Sequence, residues 1–147
     1  MIRPYITTDK IELLRIFQLN IPEYFDHNEL ADYSDYLDKN GNSYFTIEHE
    51  KRIAGGVGYH VNEATKTGQI TWILFHPHYT GLGLGRMAVE HCLTIFKSYQ
   101  SIEKLVVTTS QKAYLFFEKF GYQLIKTEKD YWGPGLDLYW MERMLYM

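Results

Sequence analysis

The stretch His76–Leu93, HPHYTGLGLGRMAVEHCL, decides how the chain is read. Glycines stand at alternate positions, Gly81, Gly83 and Gly85, between the apolar run ITWILF and a segment with helical spacing. The first amides of a helix have no intrahelical partners, and the helix dipole adds partial positive charge there. Bare backbone at that point lets an anion reach the amides and permits turn conformations closed to other residues. A phosphate or pyrophosphate suits this chemistry; a tight strand-to-helix connection that binds nothing is the structural alternative. Spacing narrows the choice of phosphate site. A P-loop would put its second glycine five positions after Gly81, where Arg86 stands, and G-x-G-x-x-G puts its third glycine at the same Arg86. Both patterns fail.

Working outward, IRPYI reads as a short extended start, and DKIELLRIFQLN as a helix with Thr8 and Asp9 as N-caps and Ile11, Leu14 and Phe17 or Gln18 on its apolar face. Pro22 breaks it, and HNELADYSDYLDKN makes a second helix on Leu30, Tyr33 and Leu37, stopping at Asn40-Gly41. SYFTIEHE and IAGGVGYHV form a hairpin with its corner at Lys51-Arg52, and QITWILFHP is a centrally buried strand. A helix from about Gly83 to Tyr99 follows, then strand KLVVTT, helix SQKAYLFFEKFG closed by Gly121, strand YQLIKTEK, loop DYWGPG and a final strand in LDLYWMERMLYM. This order implies one α/β domain over residues 1–147, with a mixed central sheet of about six to seven strands flanked by about four helices.

Composition excludes several classes. Hydrophobic residues at 46% and charged ones at 22% fit a globular domain rather than a disordered or membrane chain. No apolar run nears the roughly 18 residues that span a bilayer, and MIRPYITTDK lacks a signal-like core, so a cytoplasmic protein without membrane attachment is expected. A net charge of -3 with no Lys/Arg block argues against nucleic acid as a partner. Cys92, the single cysteine, falls on the apolar helix face and reads as a core residue. His76 and His78 lack a carboxylate or cysteine partner at metal-site spacing, so no metal is expected.

Two blocks carry a family resemblance. WILFHPHY followed by TGLGLGRMAVEHCL resembles motif A of the GNAT acetyltransferase superfamily, Q/R-x-x-G-x-G/A, filled by Thr80 to Gly85 after a Phe75-His76-Pro77 lead-in. TTSQKAYLFFEKFGY resembles the second block of that superfamily, and YWGPGLDLYWMERML the tail of one subgroup. The resemblance covers the whole chain, and it implies the GNAT fold and acyl transfer from acetyl-CoA to a primary amine, small molecule or peptide. It implies direct transfer in a ternary complex, no metal, and a homodimer through the last strands. The amides of Gly81, Leu82, Gly83, Leu84, Gly85 and Arg86 would cradle the pyrophosphate, helped by Thr80, which departs from the usual Gln or Arg. The backbone of Phe75 would pair with the pantetheine arm, and the Ile73 amide would polarise the acetyl carbonyl. Ser110, Ala113 and Phe117 would line the channel.

The proton-transfer groups depart from the family. Phe117 stands where a tyrosine acid is usual; Tyr114, one turn earlier, is the substitute candidate, with plain packing as its alternative. Gln69 stands where a glutamate base is usual, leaving Glu23, His60 or a residue of DYWGPG to act through water. Tyr24 and Phe25 with Glu23, Asp26 and Glu29 would suit a cationic amine with an apolar body. With the usual acid and base replaced, a non-catalytic acyl-CoA-binding or sensor module is the rival reading.

Overall fold

Strand β4 (Thr67–Phe75) lies at the middle of the sheet and carries one residue, Trp72, at positive φ. The computed structural model describes residues 1–147. Around β4, the chain runs β1 (Ile2–Pro4), α1 (Lys10–Leu19), α2 (Glu29–Asn40), β2 (Tyr44–His49) and β3 (Arg52–Asn62) before it. After it come α3 (Leu84–Lys97), β5 (Lys104–Thr109), α4 (Tyr114–Glu118), β6 (Gln123–Gly133) and β7 (Leu136–Met144). The seven strands lie in the order β1-β2-β3-β4-β5-β7-β6. All neighbours are antiparallel except β4 and β5, which pair only at Thr67–Lys104, Gly68–Leu105 and Gln69–Val106. Beyond Gln69 the two strands part, while β5 continues to pair with β7 as far as Thr109.

Helices cover both faces. On one face α3 buries Leu84, Ala88, Val89, Cys92 and Phe96 against Val57, Ile70, Leu105 and Val107, a stripe set by helical spacing. Cys92 sits in that core, and burial pushes its thiol up to about 12. On the other face α1 and α2 bury Leu13, Ile16, Phe17, Tyr33 and Leu37 against Tyr44 and Leu74. No helix is long and apolar enough to cross a membrane.

The element order matches the sequence reading, and four details differ. The buried face of α1 is Leu13, Ile16, Phe17 and, at its end, Asn20, whereas Ile11 is 84% exposed. The face is set by Phe17, which stacks on Phe25 and Tyr33, and by the buried Asn20 amide, which donates to Ile16 O and Phe75 O. The hairpin corner is Glu50-Lys51, both at positive φ, not Lys51-Arg52. Helix α4 is five residues long, and β6 continues through Tyr131 and Trp132 into the segment expected to be a loop.

As the N-cap of α1, Asp9 makes no side-chain bond to that helix; its carboxylate turns back to Ile6 instead. Its carboxylate is 3% exposed and accepts from Arg3 Nη1 and Nη2, both 2.8 Å away, from Thr46 Oγ1 at 2.8 Å and from the Ile6 amide at 3.0 Å. It therefore ties β1, β2 and the start of α1 together. Burial alone would raise the Asp9 carboxyl, but these donors outweigh it and hold it below its ordinary 3.8. A lowered folded pKa means that the stability is complete above 3.8 and is lost as pH falls through the lowered value. Asp9→Asn should cost about 2 kcal/mol at neutral pH by urea titration. The gap from the parent protein should close on acidification below the ordinary carboxylate range.

Candidate active site

The site begins with an extra residue in β4. Gly56 of β3 faces Leu74, and Gly58 faces Thr71, so Trp72 and Ile73 together oppose the single residue Val57. Trp72 takes φ 44, a left-handed conformation that costs a non-glycine residue on the order of 1 kcal/mol or more. Its indole is held among Phe17, Phe25, Tyr33 and Tyr36, and its carbonyl accepts from the Tyr44 hydroxyl at 2.8 Å. The insertion reverses the alternation of the strand. Trp72 packs on residues of α1 and α2 and Thr71 Oγ1 lies 2.8 Å from the Tyr36 hydroxyl of α2, while Ile73 and Phe75 pack on the α3 side.

Where β4 leaves β5, a cleft of about 780 Å³ opens between them. One end is walled by Phe75, Pro77, Tyr79, Thr80, Gly81 and Gly85 with Ser110, Ala113, Phe116 and Phe117 opposite. The other end is walled by the α1–α2 turn, with Glu23, Tyr24, Phe25 and Glu29, and by Thr108, Thr109 and Trp132; Asn20, bonded to Phe75 O, also lines the cleft. The Trp132 indole donates to Thr109 O at 3.0 Å, which fixes the ring against the cleft. Across that end the two walls touch: a Cβ at Gly133 would overlap the Asp26 carboxylate.

The three glycines differ in what demands them. Gly81 and Gly83 have φ 76 and 77, with nothing within 4 Å of a built Cβ, so conformation selects them. Gly83 is the N-cap of α3, and no side chain caps the helix, whose first turn also has no acidic residue. The opening amides therefore face outward without a competing acceptor from the chain. Gly85 is ordinary in backbone but sits 2.7 Å, by a built Cβ, from the Phe116 ring, so space selects it. Arg86 lies over the Phe120 ring at 5.1 Å and 3.4 Å from Glu90.

Ile73, Phe75, Thr80, Gly81, Gly85, Ser110, Ala113 and Phe117 thus all reach the one cleft. Gly83 and Arg86 line a second, shallower groove beside the first turns of α3. Leu82 is half exposed and Leu84 buried in the core, so either could act on a ligand only through its amide. Tyr114 is placed apart from these residues. With α4 reduced to five residues, its ring packs 4.9 Å from Tyr139, and it is absent from the cleft walls. His60 is exposed on β3 outside the cleft, whereas Glu23 and Gln69 line it. His76 uses Nδ1 to accept from the His78 amide at 3.1 Å, which caps the turn after β4.

Glu29, the first residue of α2, is 8% exposed. Burial, then repulsion from Asp26 and Asp32, raises its carboxyl from 4.5 to about 7, against partial relief from the Asp26 backbone. It is the carboxyl of the cleft poised to exchange a proton near neutrality.

A family model for the acetyltransferase (GNAT) family matches residues 12–122. The chain belongs to this family. It is a GNAT acetyltransferase with a seven-stranded mixed sheet and four helices. Ard1 from Thermoplasma volcanium superposes with TM-score 0.82 at 16% identity over 100% of this chain and 98% of that one. The ribosomal-protein-S18-alanine N-acetyltransferase from Escherichia coli gives 0.77 at 20% over 100% and 94%. An aminoglycoside 6'-N-acetyltransferase solved with coenzyme A gives 0.78 at 12% over 100% and 98%. At these identities the likeness is one of fold. Searched against curated proteins, the sequence has no significant match.

Within this GNAT domain, sequence reasoning placed Glu29 only among acids for a cationic amine and passed over Asn20, Trp72, Phe116 and Trp132. A signal for Glu29 was present: Asp32 stands one turn on in the helix and Asp26 three residues before its start, so two acids flank Glu29. A raised folded pKa means that the unfolded chain ionises Glu29 first, so stability falls as pH rises from 4.5 to about 7 and then levels. Glu29→Gln should therefore melt higher than the parent at pH 8 and alike at pH 4, and the parent's Glu29 carboxyl should titrate by carbon NMR with a midpoint near 7.

Proposed function

We propose that this GNAT protein transfers acetyl from acetyl-CoA to a primary amine by direct attack in a ternary complex. The observation that carries the reading is the cleft between β4 and β5, which runs from the uncapped, glycine-lined start of α3 to the carboxyl of Glu29. The outward amides at Gly83, Leu84, Gly85 and Arg86 suit a pyrophosphate, and the length of β4 beyond Gln69, which no longer pairs with β5, suits an extended amide-bearing arm. Coenzyme A bound in the aminoglycoside acetyltransferase of the same fold supports the choice.

Acetyl-CoA supplies a thioester: the amine nitrogen bonds to its carbonyl carbon, the carbon–sulfur bond breaks, and the sulfur leaves with the electron pair. The Ile73 amide donates to the carbonyl oxygen, where negative charge grows during transfer. Glu29 takes a proton from the attacking nitrogen, directly or through water, a role its pKa of about 7 fits. Glu23 and Glu29 draw a cationic amine, and Tyr24, Phe25 and Trp132 accept its apolar body. No tyrosine acid is assigned; the departing thiolate takes its proton from water.

Calorimetry with acetyl-CoA should give about micromolar affinity, and pantetheine fragments without pyrophosphate should bind at least about tenfold more weakly. Gly83→Val, strained at φ 77, should weaken acetyl-CoA binding, whereas Gly85→Ala should chiefly lower the melting temperature by crowding Phe116. A thiol assay with an amine panel should give amine-dependent release of CoA, with kcat/KM rising with pH through about 7. Glu29→Gln should lose about 10²-fold or more in kcat together with that limb. Binding of acetyl-CoA without release by any amine would favour the sensor reading, and no binding would overturn both.

A further inference from the structure

The strand β3 sequence Ala54-Gly55-Gly56-Val57-Gly58 is unusually bare for the interior of a sheet, and the structure explains it. Tyr44, on β2 opposite Gly58, lays its ring along β3 toward β4. A Cβ at Gly56 would overlap the Tyr44 hydroxyl, and one at Gly58 would crowd the same ring at 2.8 Å. Two missing side chains therefore form a trough through which a residue of β2 reaches a peptide two strands away. At the far end of the trough the Tyr44 hydroxyl lies 2.8 Å from Trp72 O, in the bulge of β4.

That bond fixes one peptide plane. The Trp72–Ile73 peptide is trans, so Trp72 O and the Ile73 N–H point in opposite directions from it. Anchoring the oxygen toward Tyr44 turns the Ile73 N–H away from Tyr44, on a residue that lines the cleft. Tyr44 has one proton and gives it to Trp72 O, so the Tyr33 hydroxyl, 2.8 Å away, donates to Tyr44. Tyr33 and Tyr44 are 0% and 1% exposed. Burial pushes both phenols well above the ordinary value, so they remain donors across the working pH range. A hydrogen bond to an amide oxygen also polarises the N–H on the far side of the same amide.

On the acetyl-transfer reading above, on which it rests, we infer that Tyr44, backed by Tyr33, is a positioning residue for the Ile73 amide: its hydroxyl, passed through the Gly56–Gly58 trough, holds and polarises the peptide that receives the acetyl oxygen. Tyr44 touches neither acetyl group nor amine. Its removal should act on the transfer step and leave the grip on acetyl-CoA, which lies along other residues, unchanged.

The test is Tyr44→Phe, which keeps the ring and deletes the hydroxyl, measured against the parent for kcat and for acetyl-CoA KM. The expected result is a kcat lower by about tenfold at unchanged KM, a fraction of the roughly 10²–10³ lost when an oxyanion donor itself is deleted. In a nitrogen–proton spectrum with a non-hydrolysable acetyl-thioether analogue of acetyl-CoA, the Ile73 amide proton should lie upfield of its position in the parent complex. A kcat equal to the parent's, or a raised KM at unchanged kcat, overturns the positioning role and leaves acetyl transfer standing. A parent protein that neither binds acetyl-CoA nor releases CoA overturns the acetyl-transfer reading and this inference together. Should Tyr44→Phe fail to fold, Tyr33→Phe decides, because it keeps the bond to Trp72 and withdraws only the donor behind it. A two- to threefold lower kcat at unchanged KM, by about the strengthening expected of one relayed hydrogen bond, supports the relay; an unchanged kcat overturns it.

Discussion

The left-handed backbone at Trp72, held by a hydroxyl from β2 and by a packed set of aromatic rings, is the constraint on which the molecule's working half depends. An inserted residue sharpens the local twist of a strand and reverses which side chains face which layer. Here the even-numbered positions of β4 change sides partway along, from the α3 core at Gly68 and Ile70 to the α1–α2 core at Trp72 and Leu74, while Ile73 and Phe75 take up the α3 side. It also stops pairing with β5 after Gln69, so the inner edges of both strands face a cleft instead of each other. In an uninterrupted sheet those edges would have bonded to one another, and no surface of free main-chain groups would have been left inside the domain.

Small residues do different work on the two sides of this arrangement. At Gly81 and Gly83 the backbone adopts a conformation that a side chain would strain. At Gly56, Gly58 and Gly85 the backbone is ordinary, and an aromatic ring occupies the place of the missing Cβ. The rings differ in consequence. Phe116 against Gly85 seats α4 on the first turn of α3, next to the contact of Arg86 with Phe120, so the helix start is braced from the side rather than capped from the front. Tyr44 against Gly56 and Gly58 delivers a polar group into the sheet.

Much of this was legible in the sequence, for reasons that are local. Glycines before a helix, an apolar run of strand length and helical spacing in MAVEHCL each report on a few neighbouring residues, and they gave the element order and the residues around the start of α3. What was missed depends on distant contacts. The face of α1 turned toward Leu13 and Ile16 because Phe17 and Asn20 answer to Tyr33 and Phe75. The ring of Tyr114 packs on Tyr139, a contact that the spacing of the five-residue α4 does not announce. The proton affinity of Glu29 is a property of burial among two other acids, and the reach of Tyr44 spans three strands. The bare AGGVG run announced the second of these, yet its meaning needs the neighbour that fills it.

Helix α2 carries both Glu29, which looks into the cleft, and, one turn on, Tyr33, which is buried behind it. Before it, Glu23 and Tyr24 are exposed on the rim, while Phe25 of the same turn stacks on Phe17 and Asp26 reaches Gly133. Glu23 and Tyr24 can vary without disturbing either core, while Phe25 and the stretch from Glu29 to Leu37 are tied through Phe17, Tyr33 and Tyr44 to the residue at Trp72. Change at the rim is thus separable from the packing that holds the bulge of β4.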